Sequence, residues 1–193
     1  IVNMTKITIA IPISGTACAT VQPTLPIDGE LVLRPFRDAD VGAVVDAFAT
    51  PDIQYFHFRR LDHTEAAEWI RDGLDAWQVE SAATWAIARR ADGEMVGRMT
   101  MYLHLADGRG EVSYWVLPAA RRRRVATRAC IAATAWAHEL GLHRVELTHA
   151  TENIGSARVA AAAGYRFEGI RREASRLVDG WHDTAVHAHL STD

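Results

Sequence analysis

The stretch YWVLPAARRRRVATRA, residues 114–129, sets four consecutive arginines between an apolar, strand-like run and what reads as a long helix. A strand that runs into a helix leaves backbone N–H groups unpaired and brings the positive end of the helix dipole to the junction, which suits phosphate. Arginine adds fixed charge and forked donors that match phosphate oxygens. Read instead as a solvated first turn, the same arginines stand at the wrong end of the dipole, so the anion-site reading is the stronger one. A second cluster, His182, Asp183, His187 and His189, has metal-ligating residue types, with His187 and His189 on one strand face. No recognised spacing supplies the remaining ligands, and no metal is expected.

The arginine run is a local device. Lys and Arg number 21 against 24 Asp and Glu, a net charge of -3, which argues against a general nucleic-acid binder. At 193 residues, 49% hydrophobic and 23% charged, the chain can bury a real core as one domain. Cys18 and Cys130 are too far apart to suggest a metal site or a disulfide framework, and they suit a reducing, cytoplasmic setting. No apolar run is long enough to span a bilayer, so no membrane association is expected. Lys6, ITIAIPIS and the ACA at 17–19 resemble a short signal peptide, but Pro12 interrupts an already short run. Residues 1–28 are therefore expected to be an extended or partly disordered arm, with TVQPTLPIDG (20–29) as its linker into a domain over 29–193.

Along that domain, ELVLRPF (30–36) alternates as a strand, and 38–49 and 64–79 have helical apolar spacing. Thr64 to Glu68 nearly forms a capping signature for the second helix. Segments 83–90, 95–105 and 111–117 read as three strands joined by ADGE and ADGRG turns. The arginine-led helix is predicted to run to Glu139 and stop at Gly141. Then come a strand (144–149), a helix (152–163) ending at Gly164, and a hairpin turning at Asp179-Gly180. This order predicts an α/β fold: a mixed, largely antiparallel central sheet with helices on both faces.

VLPAARRRRVAT after the central strand, LGLHRVEL, ENIGSARVAAAAGYRFEG and DGWHDTAVHAHL together resemble the GNAT superfamily of acyl-CoA-dependent N-acyltransferases, in particular the branch of ribosomal-protein N-terminal acetyltransferases. The resemblance covers about Glu30 to Leu190. It implies acetyl-CoA as co-substrate and an amine acceptor, either a peptide or protein N-terminus or a small amine-bearing metabolite or antibiotic. A Val-x-Pro-x-x-Arg-Gly-x-Gly-x-Ala-Thr pattern wraps the CoA pyrophosphate in that family, which maps CoA binding onto Arg121, Arg122, Arg123, Arg124, Val125, Ala126 and Thr127. Arg122 and Arg124 replace the glycines, and Ser113 stands where Gly-Tyr-Trp is usual. If φ is ordinary at these positions, each arginine still offers its N–H; if φ must be positive, each costs roughly 1 kcal/mol. The run thus resembles a CoA-phosphate loop, either reinforced by arginine or damaged by it.

The resemblance also implies roles. Backbone N–H groups near Val116 and Leu117, where the central strand splays, would polarise the thioester carbonyl. Glu111 is the candidate base, with a strand-edge glutamate facing water as the alternative, and His104 is second because histidine titrates in the right range. The family's usual tyrosine acid falls at Ala160, so the acid is absent there, and Ser156 is the residue placed near the thiol. Asn153 would hold the pantetheine arm; both Asn153 and Ser156 also suit simple helix capping. Tyr55, Phe56, His57 and Phe58 lie in a loop that borders the acceptor site in the family. The competing reading is a catalytically degenerate GNAT-like binding protein whose altered loop does not take acetyl-CoA. A nucleic-acid contact by the arginines is disfavoured by the acidic balance. Homodimerisation through the last hairpin or the arm is left open.

Overall fold

The computed structural model describes residues 21–57 and 59–193. The expectations for residues 1–20, including the signal-like run and Cys18, and for Phe58 lie outside the described residues.

Eight strands form one sheet in the order β1-β2-β3-β4-β5-β6-β8-β7. They are β1 (Leu25–Pro26), β2 (Leu31–Pro35), β3 (Ala82–Arg89), β4 (Met95–His104), β5 (Arg109–Val116), β6 (Arg144–Ala150), β7 (Arg166–Leu177) and β8 (Gly180–Leu190). Only β5 and β6 pair in parallel. The helices are α1 (Val41–Ala49), α2 (Pro51–His57), α3 (His63–Gln78), α4 (Val125–Glu139) and α5 (Ile154–Ala162). The α/β sandwich is as predicted, with differences that have local causes.

The strands alternate, and each face has its own core. Ala83, Trp85, Ile87, Met99, Met101, Val112, Val145 and Leu147 face α4 and its Ala129, Cys130 and Ala133. On the other face Ala86, Met95 and Trp115 meet Val44, Phe48 and Ile70 of α1 and α3. Gly141 and Gly164, at φ 102° and 85°, take the left-handed turns that end α4 and α5, as their positions in the sequence suggested. The cap of α3 is Asp62, two residues before the expected Thr64: Asp62 accepts from Glu65 N–H at 2.9 Å, and Glu65 accepts from Asp62 N–H at 2.8 Å.

Three expectations are corrected. Pro51–His57, read as loop, is a short helix, with Pro51 at the first position where a missing N–H costs nothing. The helix after the arginines begins only at Val125; a 3₁₀ turn (Pro118–Ala120) and the arginines themselves precede it. Part of the supposed linker is structured: β1 pairs with β2, the Gln22 side chain donates to Thr84 O at 2.8 Å, and Trp85 Nε1 donates to Pro23 O at 2.7 Å.

The entry to α1 depends on one buried ion pair. Arg34 donates from both Nη atoms to Asp40, each at 2.7 Å, and also to Gly93 O at 2.7 Å, while Asp40 accepts the Arg37 N–H at 2.8 Å. Both side chains are almost fully buried, so loss of one partner strands the other charge. Asp40→Ala is expected to lower unfolding free energy by about 3–5 kcal/mol in urea titration, with the Arg34→Met, Asp40→Leu double variant recovering much of it. A loss below about 1 kcal/mol for Asp40→Ala would make the pair dispensable.

Candidate functional site

The sheet opens in its middle. β5 and β6 pair in parallel from Arg109↔Arg144 to Val112↔Leu147, and there the ladder ends. β5 continues to Val116 on β4, and β6 continues to Ala150 on β8. The result is a notch between residues 113–116 and 148–150. Leu117 N–H donates to Val96 O at 2.9 Å, on the β4 side. Because antiparallel bonding alternates, Trp115 and Ser113 share that phase, and Val116 and Tyr114 turn their N–H and C=O groups toward the notch. Val116 O indeed points outward and accepts from Arg121 Nε at 3.0 Å. Of the two N–H groups expected at the splay, Val116 therefore faces the opening and Leu117 does not. Tyr114 supplies the second N–H of the right phase.

The loop beyond the notch resolves the question of the missing glycines. Arg122 and Arg124 adopt φ 66° and 56°, the left-handed region that glycine occupies without strain. Each departs from the L-residue preference at a cost of about 1 kcal/mol. The fold thus keeps the glycine-type backbone without the glycines. Ser113, by contrast, sits in regular strand, where a side chain costs nothing. Arg128 N–H is the first to bond back into the helix, to Arg124 O at 2.9 Å, so the N–H groups of Val125, Ala126 and Thr127 have no intrahelical acceptor. Arg124, the N-cap residue, makes no side-chain cap. A left-handed residue followed by helical ones aims successive N–H groups at one point, an anion-binding concavity.

The five arginines divide by task. Arg121 bridges Val116 O and Asp52 of α2, the latter at 2.5 Å. Arg128 ties α4 to Asp28 and Glu30. Arg122, Arg123 and Arg124 are exposed and form no ion pair among the described residues.

On the α4–α5 side of the notch, Asn153 caps α5 by accepting from Ser156 N–H at 3.0 Å, which leaves its Nδ2 without a bond to a described group. The hydroxyl of Tyr114, buried and without a geometric hydrogen bond, lies beside Ser156. Burial pushes the Tyr114 phenol well above its usual range, an effect that Ser156 partly offsets. The alternation of β5 gives Tyr114 the pattern of a core residue. What the spacing could not convey is that the strand loses its neighbour at this residue.

On the opposite face, Glu111 is half-buried two residues before the notch and accepts from Thr148 Oγ1 at 2.8 Å. His104 is exposed, two residues along β4 from Tyr102, the cross-strand partner of Glu111. His104 therefore lies on the Glu111 face but toward the closed end of the splay. α2 stands over this face. Tyr55 donates to both oxygens of Asp179 at 2.9 Å and so clasps the β7–β8 turn. His57 packs edge-on against Phe48, and burial, with Arg98 and Arg59 nearby, lowers its pKa to about 4. Phe56 is partly exposed. The histidines of the last hairpin are engaged elsewhere: His182 with Asp179 and Glu152, His187 with His149, and His189 with His138. Among the described residues no three His, Cys, Asp or Glu side chains gather as metal ligands.

If the two arginines are strained as their φ values indicate, Arg122→Gly and Arg124→Gly should each raise unfolding free energy by roughly 0.5–1 kcal/mol. Arg123, whose φ is not positive, is the internal control: Arg123→Gly should lower stability. Equal effects at all three positions in urea titrations would contradict the assignment of strain.

Comparison with known proteins gives this notch its context. The acetyltransferase (GNAT) domain family matches residues 30–166. The probable N-acetyltransferase YjcK of Bacillus subtilis (strain 168) is 30% identical over 172 residues, covering 84% of this chain and 95% of the relative. A GNAT-family acetyltransferase from Bacillus anthracis superposes with a TM-score of 0.78 at 20% identity, covering 89% of this chain and all of that one (100%). Mycobacterium smegmatis RimJ, solved with a CoA-disulfide, superposes at 0.76 with 23% identity, covering 89% and 88% of the two chains. RimL, a ribosomal L7/L12 α-N-protein acetyltransferase solved with coenzyme A, superposes at 0.77 with 18% identity, covering 89% and 100%. The last three share the fold, including that of the ribosomal-protein branch whose motifs the sequence resembles. The chain is an N-acetyltransferase of the GNAT family.

Proposed function

We propose that this enzyme transfers the acetyl group of acetyl-CoA directly to a primary amine held in the same ternary complex. The acceptor would be a peptide or protein N-terminus or a small amine-bearing molecule. The observation that carries the reading is the continuity of the notch with the left-handed turns at Arg122 and Arg124: an opened strand edge leads straight to a concavity of unpaired N–H groups. That is the shape and donor set a pantetheine arm ending in a pyrophosphate requires. The N–H groups from Arg122 to Thr127 would take the phosphates, with three exposed guanidinium groups adding charge. Val116 would pair with a pantetheine amide, and Asn153 Nδ2 would supply a further donor from α5. Solved relatives with CoA or acetyl-CoA bound support this fit.

Acetyl-CoA supplies an activated acyl group on a thiol leaving group; the chain's own residues do the rest. Tyr114 N–H, turned into the notch on the side nearer Glu111, stabilises charge developing on the acyl oxygen. Glu111, held by Thr148 on the face away from α4, takes the proton from the incoming amine, directly or through water. His104 is the second candidate for that step. The Tyr114 hydroxyl, kept protonated by burial and set beside Ser156, is placed to donate toward the departing sulfur. It thereby occupies the part of the notch flanking α5, where Ala160 can offer no hydroxyl. Phe56 and His57 form one wall of the acceptor side, and the Tyr55–Asp179 clasp closes its rim. The domain over 29–193 carries the whole apparatus. Among the described residues no helix is long and apolar enough to cross a membrane.

Calorimetric titration with CoA and acetyl-CoA is expected to give a micromolar Kd, on the order of -8 kcal/mol. Absence of binding, with binding restored by Arg124→Gly, would mean that the arginines close the loop and that the protein is a degenerate binding module. Given binding, Glu111→Gln should lower kcat by about 100-fold or more with the acetyl-CoA Kd unchanged. Tyr114→Phe should lower kcat while preserving the fold and the Kd. An unchanged kcat in either variant removes that residue from the mechanism.

A further inference from the structure

Two arginines are buried in this protein, and they are treated in opposite ways. Arg34 has Asp40 and two backbone carbonyls as acceptors. Arg98 of β4, only 5% exposed, forms no ion pair with any described carboxylate. Its Nε donates to Thr100 Oγ1 at 2.7 Å, its guanidinium lies over the Trp69 ring at 5.6 Å, and the Tyr102 hydroxyl is beside it. None of these is a carboxylate. A buried cation without a counterion costs several kcal/mol. The field is felt nearby: burial depresses the His57 pKa, and Arg98 and Arg59 add to that effect. Directly across the ladder from Arg98 stands Trp115, on the same face, whose buried indole N–H has no acceptor. A buried cation without a carboxylate and a buried N–H donor without an acceptor therefore occupy adjoining strands.

Their place in the sheet connects them to the reaction. Thr100, to which the guanidinium reaches, pairs with Ser113, the first residue of the splayed stretch; Tyr102 pairs with Glu111. Arg98, Thr100, Tyr102 and Glu111 thus share one face. The guanidinium lies about two residues along the strand from the Glu111 row, roughly 7 Å. Tyr102, beside the guanidinium, is partly exposed.

The geometry points to Arg98 as the anchor of an anion subsite on the acceptor side, selecting amines that carry a carboxylate or phosphate about 7 Å from the nitrogen. Glu111 would meet the amine end and Arg98 the anionic end, so the two ends of the acceptor are distinguished by opposite charges. The inference rests on the acetyltransferase reading for the position of Glu111, but the subsite itself is an equilibrium property that can be measured alone.

The test uses matched acceptors: glycylglycine against glycylglycinamide, and 3-aminopropyl phosphate against 3-aminopropanol. Release of free CoA thiol is followed for the wild type, Arg98→Met and Arg98→Lys. The wild type should favour the anionic member of at least one pair by tenfold or more in kcat/KM, and the pair that shows it identifies carboxylate or phosphate. Arg98→Met should abolish the preference through KM, with the acetyl-CoA Kd intact, and Arg98→Lys should retain part of it. Equal rates within both pairs, or a preference that survives Arg98→Met, would overturn the proposal. A second measurement does not depend on turnover: tryptophan fluorescence of the wild type, titrated with glutarate and with inorganic phosphate at constant ionic strength, should change saturably, because Trp69 and Trp115 line the subsite. Arg98→Lys serves as the comparison if Arg98→Met does not fold. If the wild type binds no acetyl-CoA, the enzymatic reading fails, and the fluorescence titration alone decides the subsite; no saturable change there ends it.

Discussion

The parting of β5 from β6 after Val112 and Leu147 is the constraint on which the rest of the structure depends. Backbone polar groups in the middle of a sheet are normally paired, and leaving them open is costly unless water or a ligand reaches them. The chain accepts this because each strand retains its other neighbour: β4 holds β5 to Val116, and β8 holds β6 to Ala150. α4 leaves from one lip of the opening and α5 from the other. Their N-terminal ends therefore converge on the notch, and with them the donors that a phosphate-bearing substrate needs. Arg121 works at the same place, meeting an outward carbonyl of β5 and tying the loop to α2.

The left-handed arginines show what this arrangement imposes on sequence. The loop must reverse direction between the 3₁₀ turn and α4 in four residues, and it does so through two positive φ angles whichever residues occupy them. Glycine would meet that demand without a Cβ clash. Arginine meets it under strain, of the kind that persists only where the surroundings over-determine the backbone, commonly at binding sites. In exchange the loop gains side-chain charge at the mouth of the anion site. The two properties are separable: strain is lodged in φ at Arg122 and Arg124, whereas charge is shared equally with Arg123.

Much of the fold was legible because the relevant signals are local. Alternation marked the strands, Gly141 and Gly164 marked helix ends, and Asp179-Gly180 marked the last turn. Where the reading failed, the deciding interaction was distant or hidden. β1 is two residues long and owes its order to pairing with β2, together with the Gln22 and Trp85 hydrogen bonds that fix the segment just before it. α2 is seven residues long and rests on the sheet and the last hairpin. The arginines were placed inside the helix because only glycine announces a left-handed turn, and the glycines are absent. The family resemblance implied a splay near Val116 and Leu117, whereas the parallel ladder already ends at Val112. Which N–H groups face it depends on β4 register, which no local pattern encodes. Tyr114 was missed for the same reason, since its alternation is that of a core residue.

The sheet's two faces also deploy positive charge differently, and the difference has physical consequences. Arg122, Arg123 and Arg124 are exposed, so their field is screened within about 8 Å at physiological ionic strength and acts mainly on encounter and on the salt dependence of affinity. Arg98 is buried against Trp69, where screening is weak and a mispaired group is penalised heavily. An exposed cluster can attract many anions; a buried donor pair admits only those that satisfy its geometry. Such a division suits an enzyme whose co-substrate is held by a large, highly charged phosphate group and whose acceptor must be told apart from other amines. Discrimination is greatest where a polar group would otherwise be left buried and unpaired, and on the acceptor face the Trp115 indole N–H meets that condition beside a buried Arg98 that has no carboxylate partner among the described residues.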